Sequence, residues 1–154
     1  MRDSKQKTIK LFKMKVLILC TGNSCRSQMA HGLLQSFDKR IQVFSAGTLP
    51  AAKVNEKAVA AMAEIGIDIS NHKPENVNSF LGTSWDFVIT VCDDANETCP
   101  VFTGKVTHRL HIGFEDPSKV IGTEEQIRFE FRKTRDQIAD KFKTLYIKQI
   151  KPLL

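Results

Sequence analysis

The chain has 154 residues, 42% of them hydrophobic, which suits one domain with a buried core; it has no run of the roughly 18 apolar residues that a membrane helix needs. Its net charge of +6 is concentrated at the start. Residues 1–15 hold six of the 23 basic residues and one of the 17 acidic residues, so the rest of the chain holds 17 basic and 16 acidic residues. This distribution argues against a nucleic-acid-binding face, and we expect neither a nucleic-acid nor a membrane partner.

We therefore divide the chain into a basic N-terminal extension, residues 1–13, and a single domain, residues 14–154. The basic start runs into an apolar stretch before Cys20, as a lipoprotein signal does. However, that stretch covers only residues 16–19, and bulky Leu19 stands where a small residue should precede the cleavage site. We reject a signal sequence and expect a cytoplasmic protein.

The four cysteines are expected to be reduced in the cytoplasm rather than paired in structural disulfides. They form a C-x4-C pair, Cys20 and Cys25, and a C-x6-C pair, Cys92 and Cys99. Neither spacing is usual for zinc, and the histidines do not complete a site, so we predict no metal and no cofactor. Catalysis, redox chemistry and plain burial remain as explanations for these cysteines.

Hydrophobic periodicity predicts alternating strands and helices. The first strand is a short aliphatic run that ends at a turn containing Gly22, and the last helix has apolar residues at helical spacing from Ile127 to Leu145. In chain order the predicted elements are strand 15–20, helix 24–37, strand 42–46, helix 55–65, a short helical turn 77–81, strand 87–91, strand 106–111 and helix 123–148.

This alternation predicts an α/β fold: a four-stranded parallel sheet flanked by helices on both faces. In such sheets, ligands bind beyond the carboxyl ends of the strands. Cys20 and Cys92 each follow a predicted strand. Both therefore face one crevice if the first and third strands are neighbours.

The segment between the first strand and the first helix has the pattern of an anion-binding loop. Backbone N–H groups of a tight turn and of a helix N-terminus form a concave site for a tetrahedral oxyanion. Gly22 permits the turn, and Arg26, six positions after Cys20, can hold two oxyanion oxygens at once. The predicted loop consists of Thr21, Gly22, Asn23, Ser24, Cys25, Arg26 and Ser27.

The field that binds an anion also favours the thiolate of Cys20, which we predict to be the nucleophile. Ser27 is suitably placed to donate a hydrogen bond to the sulfur, and Asn23 to brace the loop from inside. The alternative is that Cys20 ends a buried strand as an inert residue. Cys25 has no arginine six residues further on, since His31 stands there, and we interpret it as a bystander.

The loop resembles that of the low-molecular-weight protein tyrosine phosphatases and of the thioredoxin-coupled arsenate reductases that share their fold. The resemblance covers nearly the whole chain from Met14 onward and implies a single catalytic domain with a low-molecular-weight phosphatase-like fold. Residues 20–30 are similar to the reductase version, because the phosphatases usually have proline where this chain has Gln28.

The stretch from Gly113 to Pro117 is similar to the Asp-Pro element of the same family. The resemblance implies that Asp116 is a catalytic acid, since a carboxyl group over the loop can protonate a leaving oxygen or accept the thiol proton. Pro117 restricts the backbone of both residues of the pair. Taken alone, an Asp-Pro pair indicates only a turn, and Glu115 is the alternative acid.

The segment from Cys92 to Cys99 separates the two branches, because a phosphatase has no use for this second pair of cysteines. Reduction of arsenate takes two electrons, which a dithiol supplies by becoming a disulfide. The resemblance implies a relay: Cys20 bonds to arsenic, Cys92 attacks Cys20 and releases arsenite, and Cys99 attacks Cys92, leaving a disulfide for thioredoxin. The alternative is a pair of cysteines packed below a loop.

The relay also makes a prediction about conformation. If residues 92–99 are helical, their seven-residue separation spans about 10.5 Å, whereas bridged cysteines need α-carbons within about 7 Å. We therefore predict that this segment partly unwinds when it is oxidised.

Related reductases often hold a potassium ion beside the loop, using an asparagine, a serine and a threonine–aspartate pair. Asn23 and Ser45 match the first two, but Lys73 and Glu75 replace the pair. A lysine ammonium can take the place of a cation, so we predict no potassium requirement.

Two other functions remain open from the sequence. A protein tyrosine phosphatase would use the same loop and the same acid. A thiol-based sensor of arsenite or metal would use the cysteines without turnover. The physiological reductant is also open, since some relatives use low-molecular-weight thiols instead of thioredoxin.

Overall fold

The computed structural model of the chain describes residues 12–93 and 100–154. Four parallel strands form one sheet in the order β2-β1-β3-β4, which confirms the predicted α/β fold. Residues 1–11 of the predicted extension lie outside the described residues, so the division at residue 13 stays a prediction. The strands are β1 (Met14–Cys20), β2 (Ile41–Gly47), β3 (Trp85–Thr90) and β4 (Val106–His111).

Strand β1 lies inside the sheet, since it pairs with β2 on one side and with β3 on the other. Its side chains alternate between two apolar clusters, one on each face. Val16 and Ile18 belong to the larger cluster, whereas Leu17 and Leu19 belong to the smaller one. The uninterrupted apolar run in the sequence therefore marks a strand that is covered on both faces.

Three α-helices pack on the larger cluster. The smaller cluster, among the described residues, is covered by a 3₁₀ turn, Val77–Phe80, and by Phe102. None of the helices in the described ranges is both long enough and apolar enough to cross a bilayer. The three are α1 (Arg26–Phe37), α2 (Glu56–Ala63) and α3 (Glu124–Leu145), and α3 continues into a π turn (Tyr146–Ile150) and a 3₁₀ turn (Lys151–Leu153).

The helix ends follow local signals. Asn55 caps α2 by accepting a hydrogen bond from the backbone N–H of Lys57, and Thr123 forms a capping box with Gln126 at the start of α3. Helix α1 begins at Arg26 rather than at the predicted residue 24. The reason is that the residue before Arg26 has φ −125° and ψ −81°, which is not helical, and belongs to the loop.

Candidate active site

The anion-binding loop connects β1 directly to α1. Cys20 is the last residue of β1 and Arg26 is the first residue of α1, so the loop lies at the carboxyl edge of the sheet, where parallel α/β folds bind ligands. A cavity of about 320 Å³ opens above it. The cavity is lined by Cys20, Thr21, Gly22, Asn23, Ser24, Cys25, Arg26, Asp93, Asp116 and Lys119.

The N-terminus of α1 meets this cavity without a side-chain cap. Cys25 occupies the N-cap position and makes no capping hydrogen bond through its side chain to the described residues. The first backbone N–H groups of any helix lack partners within the helix. They are therefore left for an oxyanion, whose negative charge the helix dipole also favours.

Asn23 supports the loop from inside. It is fully buried and has a φ of 50°, a left-handed conformation that costs a residue with a Cβ roughly 1 kcal/mol. Its Nδ2 donates to Oγ of Ser27 at 2.8 Å. Its Oδ1 accepts from the backbone N–H of Glu75 at 3.0 Å and from Nε2 of Gln28 at 3.1 Å. Asparagine adopts this conformation more readily than most residues with a Cβ, and the side-chain bonds fix it there.

The end of β2 supports the same loop from the side. A Cβ on Gly47 would lie 2.3 Å from the carbonyl oxygen of Thr21, so only glycine fits at this close approach. The next residues bind the loop backbone: the N–H of Thr48 donates to the carbonyl of Cys20 at 3.3 Å, and that of Leu49 donates to the carbonyl of Thr21 at 2.9 Å.

Arg26 is buried beneath the cavity. Its Nη1 donates to the carbonyl oxygen of Phe114 at 3.0 Å and to Oδ1 of Asp93 at 3.2 Å, and its Nη2 lies 3.6 Å from Oδ2 of Asp116. Burial opposes the charge, but the Coulombic interactions with Cys20 and then with Asp116 raise the pKa of Arg26 overall. Its Nε is buried and has no hydrogen-bond partner among the described residues. Such a donor is costly to leave unsatisfied, and an oxyanion would satisfy it.

Cys92 is buried next to the end of β1. Its Sγ lies 4.0 Å from the carbonyl oxygen of Leu19, the residue before Cys20. Because β1 and β3 are neighbours, the structure brings Cys20 and Cys92 to the same edge of the sheet. The rest of the predicted redox segment, residues 94–99 with Cys99, lies outside the described residues.

Asp116 lines the cavity from the loop that follows β4. It caps the 3₁₀ turn Pro117–Lys119: its Oδ1 accepts from the backbone N–H of Ser118 at 2.9 Å and from its hydroxyl at 2.7 Å. The other carboxylate oxygen faces Arg26. Glu115 is exposed and does not line the cavity. Of the two carboxylates, Asp116 is therefore the better placed to reach a bound ligand.

Cys25 has different surroundings from Cys20, although both belong to the loop. Its Sγ is buried, 3.7 Å from Oγ of Ser24. Burial raises the pKa of Cys25 to about 11, well above the roughly 8.5 of a free thiol. At neutral pH the side chain is a protonated thiol, which suits a bystander and not a nucleophile.

The region where related reductases hold potassium is filled by protein groups in this chain. Oγ of Ser45 pairs with Nδ1 of His31 at 2.9 Å, and Asn23 is fully engaged as described. The prediction that the ammonium of Lys73 takes the cation's place is wrong: the side chain of Lys73 is exposed, and the neutral carboxamide of Gln28 lies there instead. An ammonium buried without a carboxylate would be costly. These residues do not fit a resident potassium ion.

Gly47, Gln28 and Lys119 are parts of the site that the sequence did not reveal. Gly47 directly follows the strand predicted over residues 42–46, and Gln28 was interpreted only as a departure from the phosphatase pattern. Lys119, an exposed cation on the cavity wall, follows the Asp-Pro pair closely enough that the motif would have drawn attention to it. The importance of the other two depends on contacts between distant parts of the chain.

Comparison with known proteins agrees with this geometry. Residues 15–152 match the family described as low molecular weight phosphotyrosine protein phosphatase. The chain belongs to this family. In this member of the low molecular weight phosphatase family the fold is a parallel sheet covered by helices, and the loop, Arg26 and Asp116 converge at one edge of that sheet.

Within this phosphatase family, the chain is similar to proteins named arsenate reductases. It is 44% identical over 133 residues to that of Halalkalibacterium halodurans, covering 86% of this chain and 94% of the relative. It is 43% identical over 129 residues to that of Bacillus subtilis, covering 83% and 91%. A solved structure, an arsenate reductase in the phosphate binding state, superposes with a TM-score of 0.74 at 31% identity, covering 88% of this chain and 98% of that one.

Proposed function

We propose that this member of the phosphatase family is an arsenate reductase that uses Cys20, Cys92 and Cys99 as a thiol relay and thioredoxin as reductant. The observation that carries the proposal is the position of Cys92, buried beside the residue that precedes Cys20, next to a cavity at which Nε of Arg26 has no hydrogen-bond partner among the described residues. A phosphatase needs the cavity but not this second sulfur. The similarity to proteins named arsenate reductases supports the same choice.

The first step is a substitution at arsenic. The thiolate of Cys20 supplies the electron pair of a new S–As bond, and one As–O bond breaks. Arg26 and the N–H groups of the loop bind the remaining oxygens, while Asp116 gives a proton to the departing oxygen, which leaves as water. Arsenic remains As(V) at this point.

The second step reduces the arsenic. The thiolate of Cys92 attacks Sγ of Cys20, the S–As bond breaks, and its electron pair stays on arsenic, which leaves as As(III) arsenite. A disulfide between Cys20 and Cys92 remains, so the two sulfurs have supplied the two electrons. The contact of Cys92 with the carbonyl of Leu19, the residue before Cys20, supports this attack, because the two cysteines lie at the ends of neighbouring strands.

The third step restores the nucleophile. The thiolate of Cys99 attacks Cys92, Cys20 is released as a thiolate, and the disulfide between Cys92 and Cys99 is reduced by the dithiol of thioredoxin. This cycle belongs in the cytoplasm, where thiols are kept reduced. We assign it to the catalytic domain of residues 14–154 and give the extension of residues 1–13 no part in it.

Replacement of Cys92 by serine tests the proposal. Cys92→Ser should abolish thioredoxin-dependent arsenate turnover and leave the hydrolysis of an aryl phosphate largely unchanged, since hydrolysis needs only Cys20, Arg26 and Asp116. Both activities are measured on the same preparation. Loss of both activities, or of neither, would contradict the roles assigned here.

Cys25→Ala is the control, because it removes another buried thiol of the site without adding a side chain that could cap the N-terminus of α1. It should leave both activities in place.

The second candidate function is hydrolysis of phosphotyrosine, which the family match favours. That function would be indicated by efficient turnover of a phosphotyrosine peptide together with no effect of Cys92→Ser on any activity.

A further inference from the structure

Gln28 lies in the first turn of α1, buried with 1% of its surface exposed. Its Nε2 is within hydrogen-bond distance of three oxygens: the carbonyl of Asn23 at 3.1 Å, Oδ1 of Asn23 at 3.1 Å and the carbonyl of Lys73 at 3.3 Å. The carbonyl oxygens can only accept, so the nitrogen end of the carboxamide must face them. The group thus supplies donors where oxygens from two separate segments converge.

His72 fixes the other end of this carboxamide. Oε1 of Gln28 can only accept, so Nδ1 of His72, 2.9 Å away, must hold a proton. The ring of His72 lies against that of His31, with centroids 4.4 Å apart, and His31 pairs with Ser45 in β2. Burial lowers the pKa of both histidines, so a neutral pair supports Gln28 at pH 7.

We infer that Gln28 is a positioning residue for the oxyanion site: its carboxamide, oriented by His72, holds Asn23 in the left-handed conformation on which the shape of the loop depends. The carboxamide acts by donating hydrogen bonds: without its N–H groups the carbonyls of Asn23 and Lys73 would lose this donor, and Oδ1 of Asn23 would keep only the bond from the backbone N–H of Glu75. This inference rests on the proposed role of the loop in binding an oxyanion.

The test compares Gln28→Met with Gln35→Met. Gln35 lies on the same helix and also bridges backbone groups through its carboxamide, donating to the carbonyl of Ile41 at 2.7 Å and accepting from the N–H of Val43 at 3.1 Å. It contacts the start of β2 and not the loop. Both substitutions remove hydrogen bonds between a helix side chain and the backbone, although Gln35 is only partly buried, and they differ in what those bonds hold.

Gln28→Met should weaken the binding of inorganic phosphate, and lower kcat/KM for arsenate, by about tenfold each, the effect expected for about 1.4 kcal/mol. The pH profile of Cys20 alkylation, followed by mass spectrometry, should move to higher pH. Gln35→Met should lower the thermal midpoint and leave all three properties unchanged. A purely structural Gln28 would behave like Gln35.

Gln28→Glu separates donation from shape. It keeps the length of the side chain but places carboxylate oxygen against the three acceptors, so it should bind phosphate more weakly than Gln28→Met. If Gln28→Met does not fold, His72→Phe, which keeps a ring against His31 and removes only the bond to Gln28, should shift phosphate affinity in the same direction by a smaller factor.

Two failures are distinguishable. The inference would be overturned if Gln28→Met or Gln28→Glu bound phosphate as tightly as the wild type and had the same alkylation profile, while the wild type still reduced arsenate. A wild-type protein that neither binds phosphate nor reduces arsenate would instead overturn the proposed function.

Discussion

Two of the loops that line the cavity are supported in different ways. The anion loop, residues 20–27, rests on buried polar side chains, of which Asn23 and Ser27 are fully buried, and on the backbone at the end of β2. The acid loop, residues 112–119, is anchored by Phe114 and Pro117, while Asp116 is held by a short turn of its own.

This difference matches the work of each loop. Donors for an oxyanion are effective when they are fixed before the ligand arrives, and buried bonds from several elements fix them. A proton donor must approach and leave the reacting oxygen, for which a local turn is sufficient. We therefore expect changes beneath the anion loop to impair stability and anion binding together, and changes in the acid loop to affect mainly turnover.

The largest expected effect is that of Gly47→Ala. The new Cβ would lie 2.3 Å from the carbonyl oxygen of Thr21 and 3.1 Å from the backbone nitrogen of Asn23, so the anion loop must shift. Overpacking of this kind costs typically 1–3 kcal/mol, and phosphate affinity measured by calorimetry should fall by about ten- to a hundredfold if the loop shift carries that cost.

Gly104→Ala is the matched control for this clash. A Cβ on Gly104 would lie at the same 2.3 Å from a carbonyl oxygen, that of Thr83, which is not part of either cavity loop. It should lower the thermal midpoint while phosphate affinity stays at the wild-type value. Equal affinities in the two variants would show that the approach of β2 does not support the anion loop.

The next effect concerns the imidazole pair beside the anion loop. Burial, and then the neighbouring His72, lower the pKa of His31 to about 3. The unfolded chain takes up this proton near pH 6.5 and the folded chain only near the lower value, so stability present above pH 6.5 is lost as the pH falls through this window. At pH 5 the loss from His31 amounts to about 2 kcal/mol.

Urea unfolding at pH 7 and pH 5 measures this loss. His31→Asn, which keeps a polar group toward Ser45, should make the difference between the two pH values smaller by about the same 2 kcal/mol. His108→Asn, at an exposed histidine, should keep the wild-type difference. An unchanged pH dependence in His31→Asn would mean that this ring is not held neutral beside the loop.

The parts of the molecule that the sequence predicted are those with local signals. The apolar run before Cys20, the spacing to Arg26 and the Asp-Pro pair each lie within a few consecutive residues, and the alternation of strands and helices was enough for the sheet. Helix α1 starts later than its apolar pattern indicates, because the backbone of Cys25 is not helical and belongs to the anion loop.

The supports of the site were not predictable because they join distant segments. Gln28 depends on a carbonyl 45 residues away, and Gly47 depends on the path of the loop after a different strand. Lys73 was expected to supply a charge and instead supplies that backbone carbonyl. The lysine in the sequence indicated a cation beside Asn23. A neutral carboxamide, that of Gln28, lies beside Asn23 instead, because a charge is costly to bury.

The smallest expected effect is in the acid loop, for Ser118→Ala. The substitution removes the hydroxyl that donates to Oδ1 of Asp116 at 2.7 Å and leaves the backbone N–H at 2.9 Å, so Asp116 loses one exposed bond of about 0.5–1 kcal/mol. Turnover of arsenate and of an aryl phosphate should fall by about threefold, the equivalent of such a bond, with phosphate affinity unchanged. If phosphate affinity falls as far as in Gly47→Ala, the two loops share one support, and the distinction between them is wrong.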